Sequence, residues 1–192
     1  MADTAPSLLS AWSNYFFMTG SSAAALTGLL FVVISLIMAR ERTEGAREGT
    51  ATFTTPTVMH FATVLFVSGA LTAPWHSLVP AGALVALIGL YGVVYILRVM
   101  RRTRRLTIYT PDLEDWIWYS ILPLGAYSVI SAGAIGLMTA PAPALFALAG
   151  GVMLLIFTAI RNAWDLVTYI AVVMPLNQRE ERSTKESPPQ AR

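Results

Sequence analysis

Five long apolar runs, separated by short polar or charged segments, dominate the 192 residues of this chain. A helix needs roughly 17 to 25 predominantly apolar residues to cross the hydrocarbon layer of a membrane. Lipid cannot hydrogen-bond to an open backbone, so each run is expected to be helical. The sequence therefore predicts an all-α, polytopic transmembrane helix bundle with five spans, at about residues 12–39, 57–73, 81–100, 116–138 and 144–174.

The composition supports a membrane location for the whole bundle. Only 12% of the residues are charged, whereas a soluble domain carries roughly 25%, and the mean hydropathy is +0.60. Residues 1–175 are expected to form one bundle in the lipid bilayer, followed by a charged, disordered cytoplasmic tail at 176–192. Arginine far outnumbers lysine and alanine is abundant, which fits a high-GC bacterial genome. Together with the predicted spans, this gives the expectation of a multi-pass protein of the bacterial cytoplasmic (inner) membrane.

Basic residues are concentrated on alternate connections between the spans. Apart from Arg161, every Lys and Arg lies in the 40–55 connection, in the 98–105 cluster or in the tail. With five spans these three segments lie on one side, and basic loops favour the cytoplasmic side. The sequence therefore predicts the amino terminus outside and the carboxyl terminus inside.

The 98–105 cluster is also a candidate for nucleic-acid binding. A basic patch can bind RNA or DNA, but no recognition fold or stacking platform accompanies this one. Basic residues beside a membrane usually contact anionic lipid. We therefore expect no nucleic-acid partner and a lipid-facing position for Arg101, Arg102, Arg104 and Arg105.

The last apolar run carries charged residues well inside it. Arg161 and Asp165 are four residues apart, so on a helix they are close enough to form an ion pair. A polar stripe cannot be satisfied by lipid and should face other helices. We predict an intramembrane polar cluster near the cytoplasmic face, built from Arg161, Asn162, Asp165, Thr168, Tyr169, His60, Tyr95 and Tyr119.

Two interpretations of this cluster stay open. It is either a structural clamp that fixes the helix register or a gate, ion site or ligand site at the cytoplasmic mouth. Its depth is also open, because the last run is longer than a bilayer is thick. If the span begins at Ala144, Arg161 lies about 26 Å along it, near the inner boundary. If the span ends at Met174, Arg161 lies near the midplane.

Small residues at every fourth position predict surfaces on which two helices approach closely. One such ridge is expected in the first span and one in the fourth. Their residues are Gly20, Ala24 and Gly28, and Ser128, Ala132 and Gly136.

The fourth span should begin in a capped turn and bend soon afterwards. Thr110 can cap, Pro111 suits the first helical position, and the acids that follow meet the positive end of the helix dipole. Pro123 is expected to kink the helix, because it has no N–H to donate one turn back.

Several classes of chemistry lack support in the sequence. There are no cysteines and only two histidines, His60 and His76, which argues against a metal centre. A nucleophile elbow, a metalloprotease motif and a phosphate-binding glycine loop are all missing. We therefore expect no metal, no cofactor and no enzymatic activity.

Two segments resemble a known family. The first span contains Tyr15-Phe16-Phe17 followed by the run AALTGLLFV at 24–32, and the last contains Asn162-Ala163-Trp164. In these segments the chain is similar to a family of small, uncharacterised bacterial polytopic membrane proteins. Some members of that family are labelled as modulators of a membrane-bound AAA-type protease. The resemblance implies a regulatory role and assigns no role to any residue.

From these observations we expect a non-catalytic integral membrane protein with an interaction or regulatory role. Its expected partners, besides the bilayer, are further copies of itself or a larger membrane complex. The alternative is a subunit of an oligomeric ion channel or small-solute transporter, with a polar site near its cytoplasmic mouth.

Overall fold

The computed structural model describes residues 5–40, 44–104 and 112–168, and these ranges form five helices and no strand. The all-α prediction is thus confirmed for the described residues. The predicted tail, Tyr169 and Arg105 lie outside them. The helices are α1 (Ala5–Arg40), α2 (Glu44–Thr72), α3 (Leu78–Thr103), α4 (Leu113–Gly136) and α5 (Pro141–Thr168).

Four of the helices are long and apolar enough to cross a membrane. They are Leu8–Leu36 within α1, together with α3, α4 and α5. The apolar part of α2, Pro56–Thr72, is shorter than these four. A multi-pass membrane protein is the architecture that such helices indicate.

Helix α2 begins earlier than its apolar part. Residues 44–55, predicted as a polar connection, are helical, and Pro56 lies inside the helix. Alanine, arginine and glutamate in this segment are good helix formers. An interior proline removes one backbone hydrogen bond and crowds the carbonyl one turn back, and the helix nevertheless continues through Pro56. The polar residues of this segment show where the apolar part of α2 begins. They do not predict where the helix itself begins.

The bundle has an inner group of helices and an outer pair. In α4 and α5, 44% and 56% of the most apolar window is buried, against 22% in both α1 and α3. Helix α5 packs against α4, α2 and α1, while α3 packs mainly against α4. The core therefore lies between α2, α4 and α5.

Glycines of α3 and α5 allow α4 to approach closely. A Cβ added to Gly82 would lie 2.7 Å from the Ala134 carbonyl oxygen, and one added to Gly89 would lie 2.5 Å from the Ser131 hydroxyl. A Cβ on Gly151 would lie 2.7 Å from Ile130. These glycines make close contacts with α4, and none of them belongs to the predicted ridge of the fourth span.

Only part of each predicted ridge packs inside the bundle. In the fourth span, Ser128 and Ala132 are exposed, and a Cβ on Gly136 would meet Ala144 at 3.3 Å. Ser128 and Ala132 do not pack within the bundle, because α4 turns its neighbouring residues 130, 131, 133 and 134 inward. That they pack against a helix of another chain stays a prediction. Small size permits close packing and does not select the face that packs.

The ridge of the first span is likewise divided. A Cβ on Gly20 would come within 2.8 Å of Ser68 in α2, so Gly20 is a packing residue. Ala24 is exposed, and a Cβ on Gly28 would meet no atom within 4 Å. This half of the ridge lies on the outer surface of α1.

Helix α4 begins at a capping box and contains a π-helical turn. Asp112, rather than Thr110, is the N-cap: its carboxylate accepts from the Leu113 N–H at 2.7 Å. Thr110 and Pro111 lie outside the described residues. The π-helical turn, Ile117–Ile121, directly precedes Pro123, so the backbone departs from regular α-helix where the proline was expected to disturb it.

One end of the bundle gathers the basic residues. Arg104 at the end of α3 stacks over the Trp116 ring at 5.4 Å, and Arg161 of α5 bonds to Glu114 at the start of α4. We call this the basic end. The turns at 73–77 and 137–140 form the opposite end and contain no Lys or Arg.

Candidate functional site

The polar stripe of α5 is buried along one edge and half-buried along the other. Thr158 and Asn162 are buried, Arg161 and Asp165 are half-buried, and Thr168 is exposed. Successive helical residues are about 100° apart, so positions 158, 161, 162 and 165 lie within about 100° of one another around the helix. The stripe is therefore continuous, with the Asn162 amide at its buried edge and the Arg161 guanidinium at its more exposed edge.

The charges form a small network at the basic end. Arg161 makes the predicted ion pair with Asp165 and a second one with Glu114, whose Oε1 lies 2.9 Å from Nη2. The guanidinium also lies over the Trp118 ring, 5.5 Å from its centre. These side chains are a third to two thirds exposed, so each pair contributes no more than about 1 kcal/mol.

Glu114 was absent from the predicted cluster. From the sequence, Glu114 was interpreted as one of several acidic residues that stabilise the start of a helix. Only the antiparallel packing of α4 on α5 brings it to Arg161, 47 residues away. The spacing of residues along one helix predicts pairs within that helix. It does not predict the Arg161–Glu114 pair, which joins two helices.

His60 is fully buried and bonds to α4. Its Nδ1 lies 3.0 Å from the Tyr127 hydroxyl, which is also 3.3 Å from the Thr63 hydroxyl. Thr63 in turn donates to the Met59 carbonyl oxygen at 2.9 Å. Tyr127 and Thr63 were not among the predicted residues, because a tyrosine in mid-span offers no local sign that its hydroxyl is paired.

The other predicted members of the cluster lie around this core. Tyr95 is half-buried and packs against the hydrophobic core, and Tyr119 is half-buried in the π-helical turn. Arg101, Arg102 and Arg104 are exposed. His60 was expected to meet the Arg161 network, and its hydrogen-bond partner is Tyr127 instead.

Among the residues that the structure describes, three buried side chains keep polar atoms without a hydrogen-bond partner. The atoms are Thr57 Oγ1, His60 Nε2, and both Oδ1 and Nδ2 of Asn162. Val58 and Ala163 both pack against the buried pair Leu30 and Leu166, and Thr57 and Asn162 are their respective neighbours in the sequence. We call Thr57, His60 and Asn162 together the unpaired cluster, after their unpaired atoms.

A second polar contact lies further along α2. The hydroxyls of Thr19 and Ser68 are 3.1 Å apart and buried, and Thr72 donates to the Ser68 carbonyl oxygen at 2.9 Å. Beyond Thr72, at the opposite end, lies an open cavity of about 390 Å³. Its lining is mainly apolar, and Ser10, Ser13 and His76 are among the polar residues that also line it.

Within the described ranges, no three histidine, aspartate or glutamate side chains come together as a potential metal site. The arrangement is therefore a chain of uncharged hydrogen-bonding groups inside the bundle and a charged network at its basic end. Comparison of the chain with models of known protein families, with curated proteins and with solved structures finds no match.

Proposed function

We propose that the chain is a non-catalytic membrane protein whose polar interior forms a pathway or binding site for a small polar solute or ion. The unpaired cluster carries this proposal. Lipid-solvated bundles bury few polar groups without partners, since each such group costs about 1 to 3 kcal/mol. A cost of this kind is typical of sites that exist for a function rather than for stability.

The same observation favours a site over a clamp. A clamp stabilises by making hydrogen bonds between helices, as Thr19 and Ser68 do. Asn162 is 1% exposed and makes no such bond. The channel or transporter alternative from the sequence is thus better supported by the geometry than a purely structural cluster.

The proposal includes five spans in the bacterial cytoplasmic membrane, with the amino terminus outside. Two features support it. The apolar part of α2 packs against both α1 and α5 inside the bundle, as a crossing helix would. The basic end also collects the arginines that are expected on the cytoplasmic side. The unpaired cluster then lies near the cytoplasmic mouth.

The test combines stability with flux, using two near-isosteric replacements. Thr57→Val and Asn162→Leu remove unpaired polar atoms, so we expect thermal stability in detergent to stay equal or to rise. In liposomes we expect wild-type flux of at least one probe from a panel of protons, K⁺, Na⁺, urea and glycerol. Both variants should reduce that flux at least tenfold.

Thr19→Val is the matched control, because its hydroxyl is paired and its loss should lower stability. A loss of stability in Asn162→Leu similar to that in Thr19→Val would support the clamp. Wild-type liposomes that pass none of the probes would overturn the pathway.

An interaction or regulatory role is the second candidate, supported by the surface of α1. Ala24 and Gly28 are exposed there, and small residues let another helix backbone approach. Gly28→Leu adds a side chain in open space, so it should leave the fold intact and weaken any association. The mass of the purified protein in mild detergent measures this, with Gly125→Leu, also in open space, as the control.

A further inference from the structure

We propose that the outer face of α3 binds one anionic phospholipid of the leaflet at the basic end, with its phosphate held by Arg98, Arg101 and Arg102. This inference goes beyond the proposed pathway and does not depend on it, because it requires only that α3 crosses the membrane. It depends on three observations: one continuous row of exposed residues, the depth of the charges in that row, and the partners of those charges.

A row of exposed residues follows one side of α3 along its length. Its members are Leu84, Leu87, Tyr91, Val94, Arg98, Arg101 and Arg102. They recur at spacings of three and four residues, so their positions lie within about 100° of one another around the helix. We call this row the α3 lane. Its first part is apolar apart from the Tyr91 hydroxyl, and its last part is cationic.

The α3 lane faces away from the bundle. Gly89, Gly92 and Ile96 are buried, and their positions lie about 120° to 180° from that of Arg98 around the helix. Helix α4 packs on this buried side, where a Cβ on Gly89 would meet Ser131. In a membrane the α3 lane therefore contacts lipid along its whole length.

The arginines of the lane lie at the depth of lipid headgroups. Residues 78–97 carry no charge and rise about 29 Å, close to the roughly 30 Å of the hydrocarbon layer. Arg98 therefore lies at the edge of that layer, and Arg101 and Arg102 lie about 5 to 6 Å beyond it. The headgroup region adds roughly 5 to 7 Å on each side of a bilayer, so all three guanidinium groups can reach a phosphate there.

The apolar part of the lane has the length of one leaflet. From Leu84 to Val94 the helix rises about 15 Å, which is half of the hydrocarbon thickness. A phospholipid whose phosphate lies at Arg98 can therefore extend its acyl chains along the lane to the middle of the bilayer. One lipid molecule matches both parts of the lane at once.

The three arginines have no acidic partner among the described residues. The ion pairs at this end belong to Arg161, which binds Glu114 and its own helix neighbour. Arg98, Arg101 and Arg102 form no ion pair within the described ranges. Guanidinium groups donate paired hydrogen bonds to phosphate oxygens. A net negative headgroup complements this charge, whereas a zwitterionic one would bring its own ammonium group to the same place.

The structure changes which arginines belong together. Arg104 was grouped with Arg101 and Arg102 from the sequence, but its guanidinium lies over the Trp116 ring of α4, 5.4 Å from the ring centre. Arg98 was not in that group, and it stands one helical turn before Arg102 on the exposed side. Arg104 therefore offers a control of equal charge at the same end of α3.

Other occupants fit the lane less well. All copies of a membrane protein insert with the same orientation, so the lane of a second copy would bring Arg98 against Arg98, and like charges at an interface are unfavourable. RNA or DNA could reach the arginines from the aqueous side, but it would leave the apolar part of the lane unmatched. An anionic phospholipid complements both parts.

The first test measures which lipid contacts the lane. Because the chain has no cysteine, Val94→Cys can carry a single bimane label in bilayers of phosphatidylcholine. We expect brominated phosphatidylglycerol to quench this label at least threefold more effectively than brominated phosphatidylcholine. A label at Ile160→Cys, exposed on α5 beside the Arg161 network, should show no such preference. Equal quenching of the Val94→Cys label by both lipids would overturn the proposal.

The second test removes the charges in the labelled background. Arg98→Gln combined with Arg102→Gln should abolish the preference for phosphatidylglycerol, whereas Arg104→Gln should retain it. Both changes are at exposed positions, and equal unfolding temperatures in detergent would verify the fold. A preference that persists in the folded double variant would overturn the proposal. The wild-type comparison of the two lipids needs no variant of these arginines, so it decides the question if the double variant does not fold.

The source of the phosphate is tested by competition. Millimolar inorganic phosphate or a short RNA, added to the labelled protein in bilayers that contain brominated phosphatidylglycerol, should leave the quenching unchanged. Loss of quenching with inorganic phosphate would show that the arginines bind a free anion, and loss with RNA would show that they bind nucleic acid. Either loss would overturn the assignment to a lipid, and neither bears on the flux that tests the proposed pathway.

Discussion

At the scale of single residues, Tyr127 joins three helices. Its hydroxyl bonds to His60 and Thr63 of α2, and its ring occupies the space above Gly92 of α3. The ring can lie there only because residue 92 has no side chain. Gly92 is needed here for its small size and not for an unusual backbone conformation, since no glycine among the described residues has a positive φ.

We predict that Gly92→Ala destabilises the bundle through this ring. An added Cβ would overlap the Tyr127 ring, so either α3 or the ring must shift, and overpacking of this kind costs about 1 to 3 kcal/mol. The measurement is thermal unfolding in detergent, followed by intrinsic fluorescence.

Gly125→Ala is the matched control, because a Cβ there would meet no atom within 4 Å. Alanine also favours a helix over glycine by about 1 kcal/mol, so this variant should be as stable as wild type or more stable. Equal unfolding temperatures for the two variants would contradict the packing described for Tyr127.

The residue contacts differ in how far the sequence could predict them. The Arg161–Asp165 pair was predictable because helix geometry alone brings together residues four apart. The His60–Tyr127 bond joins residues 67 apart, and the Arg161–Glu114 bond depends on how two helices pack. Contacts of this second kind follow from tertiary packing, which the local pattern does not contain.

At the scale of elements, the start of α4 depends on its π-helical turn. A π-helical turn holds one residue more than the α-helix around it, which rotates the preceding segment by about 100°. This rotation helps to place Glu114 and Trp118 against α5, where Trp118 packs on Phe157 with ring centres 5.8 Å apart.

We predict that Pro123→Ala changes this rotation. Alanine restores an N–H that can bond to the carbonyl one turn back, which favours a regular α-helix through residues 117–121. Trp118 should then turn away from Phe157. Because the chain has no cysteine, a Trp118→Cys and Phe157→Cys pair can be cross-linked with a short bismaleimide, and the yield should fall several-fold in Pro123→Ala.

A second cysteine pair serves as the control. A Cβ on Gly136 would lie 3.3 Å from that of Ala144, close to the spacing that a disulfide needs. This pair lies beyond the proline, so its cross-linking should not change in Pro123→Ala. A loss at both pairs would indicate general unfolding rather than rotation of one segment.

The elements themselves were predictable to different degrees. The apolar runs predicted α3, α4 and α5 to within a few residues at each described end, because lipid contact requires both hydrophobicity and helix. The extension of α2 to Glu44 was not predicted, because the helix continues beyond its apolar part into a polar segment. Pro123 predicted where α4 is irregular, but not that the irregularity is a π-helical turn.

At the scale of the whole molecule, the number of crossings depends on α2. If Pro56–Thr72 crosses the membrane, Ser10 at the start of α1 and Thr139 before α5 lie on the same side. If α2 does not cross, every later helix is inverted, and Ser10 and Thr139 lie on opposite sides. The sequence alone predicts five crossings from charge placement, and a segment as short as this one is where such a prediction can fail.

We predict five crossings, tested by labelling single cysteines in intact cells with a membrane-impermeant maleimide. Ser10→Cys and Thr139→Cys are both exposed at the opposite end and should react from outside. Thr103→Cys, at the basic end, should react only after the membrane is made permeable. Labelling of Thr103→Cys together with Ser10→Cys in intact cells would show that α2 does not cross, and it would move the unpaired cluster away from the cytoplasmic mouth on which the proposed pathway depends.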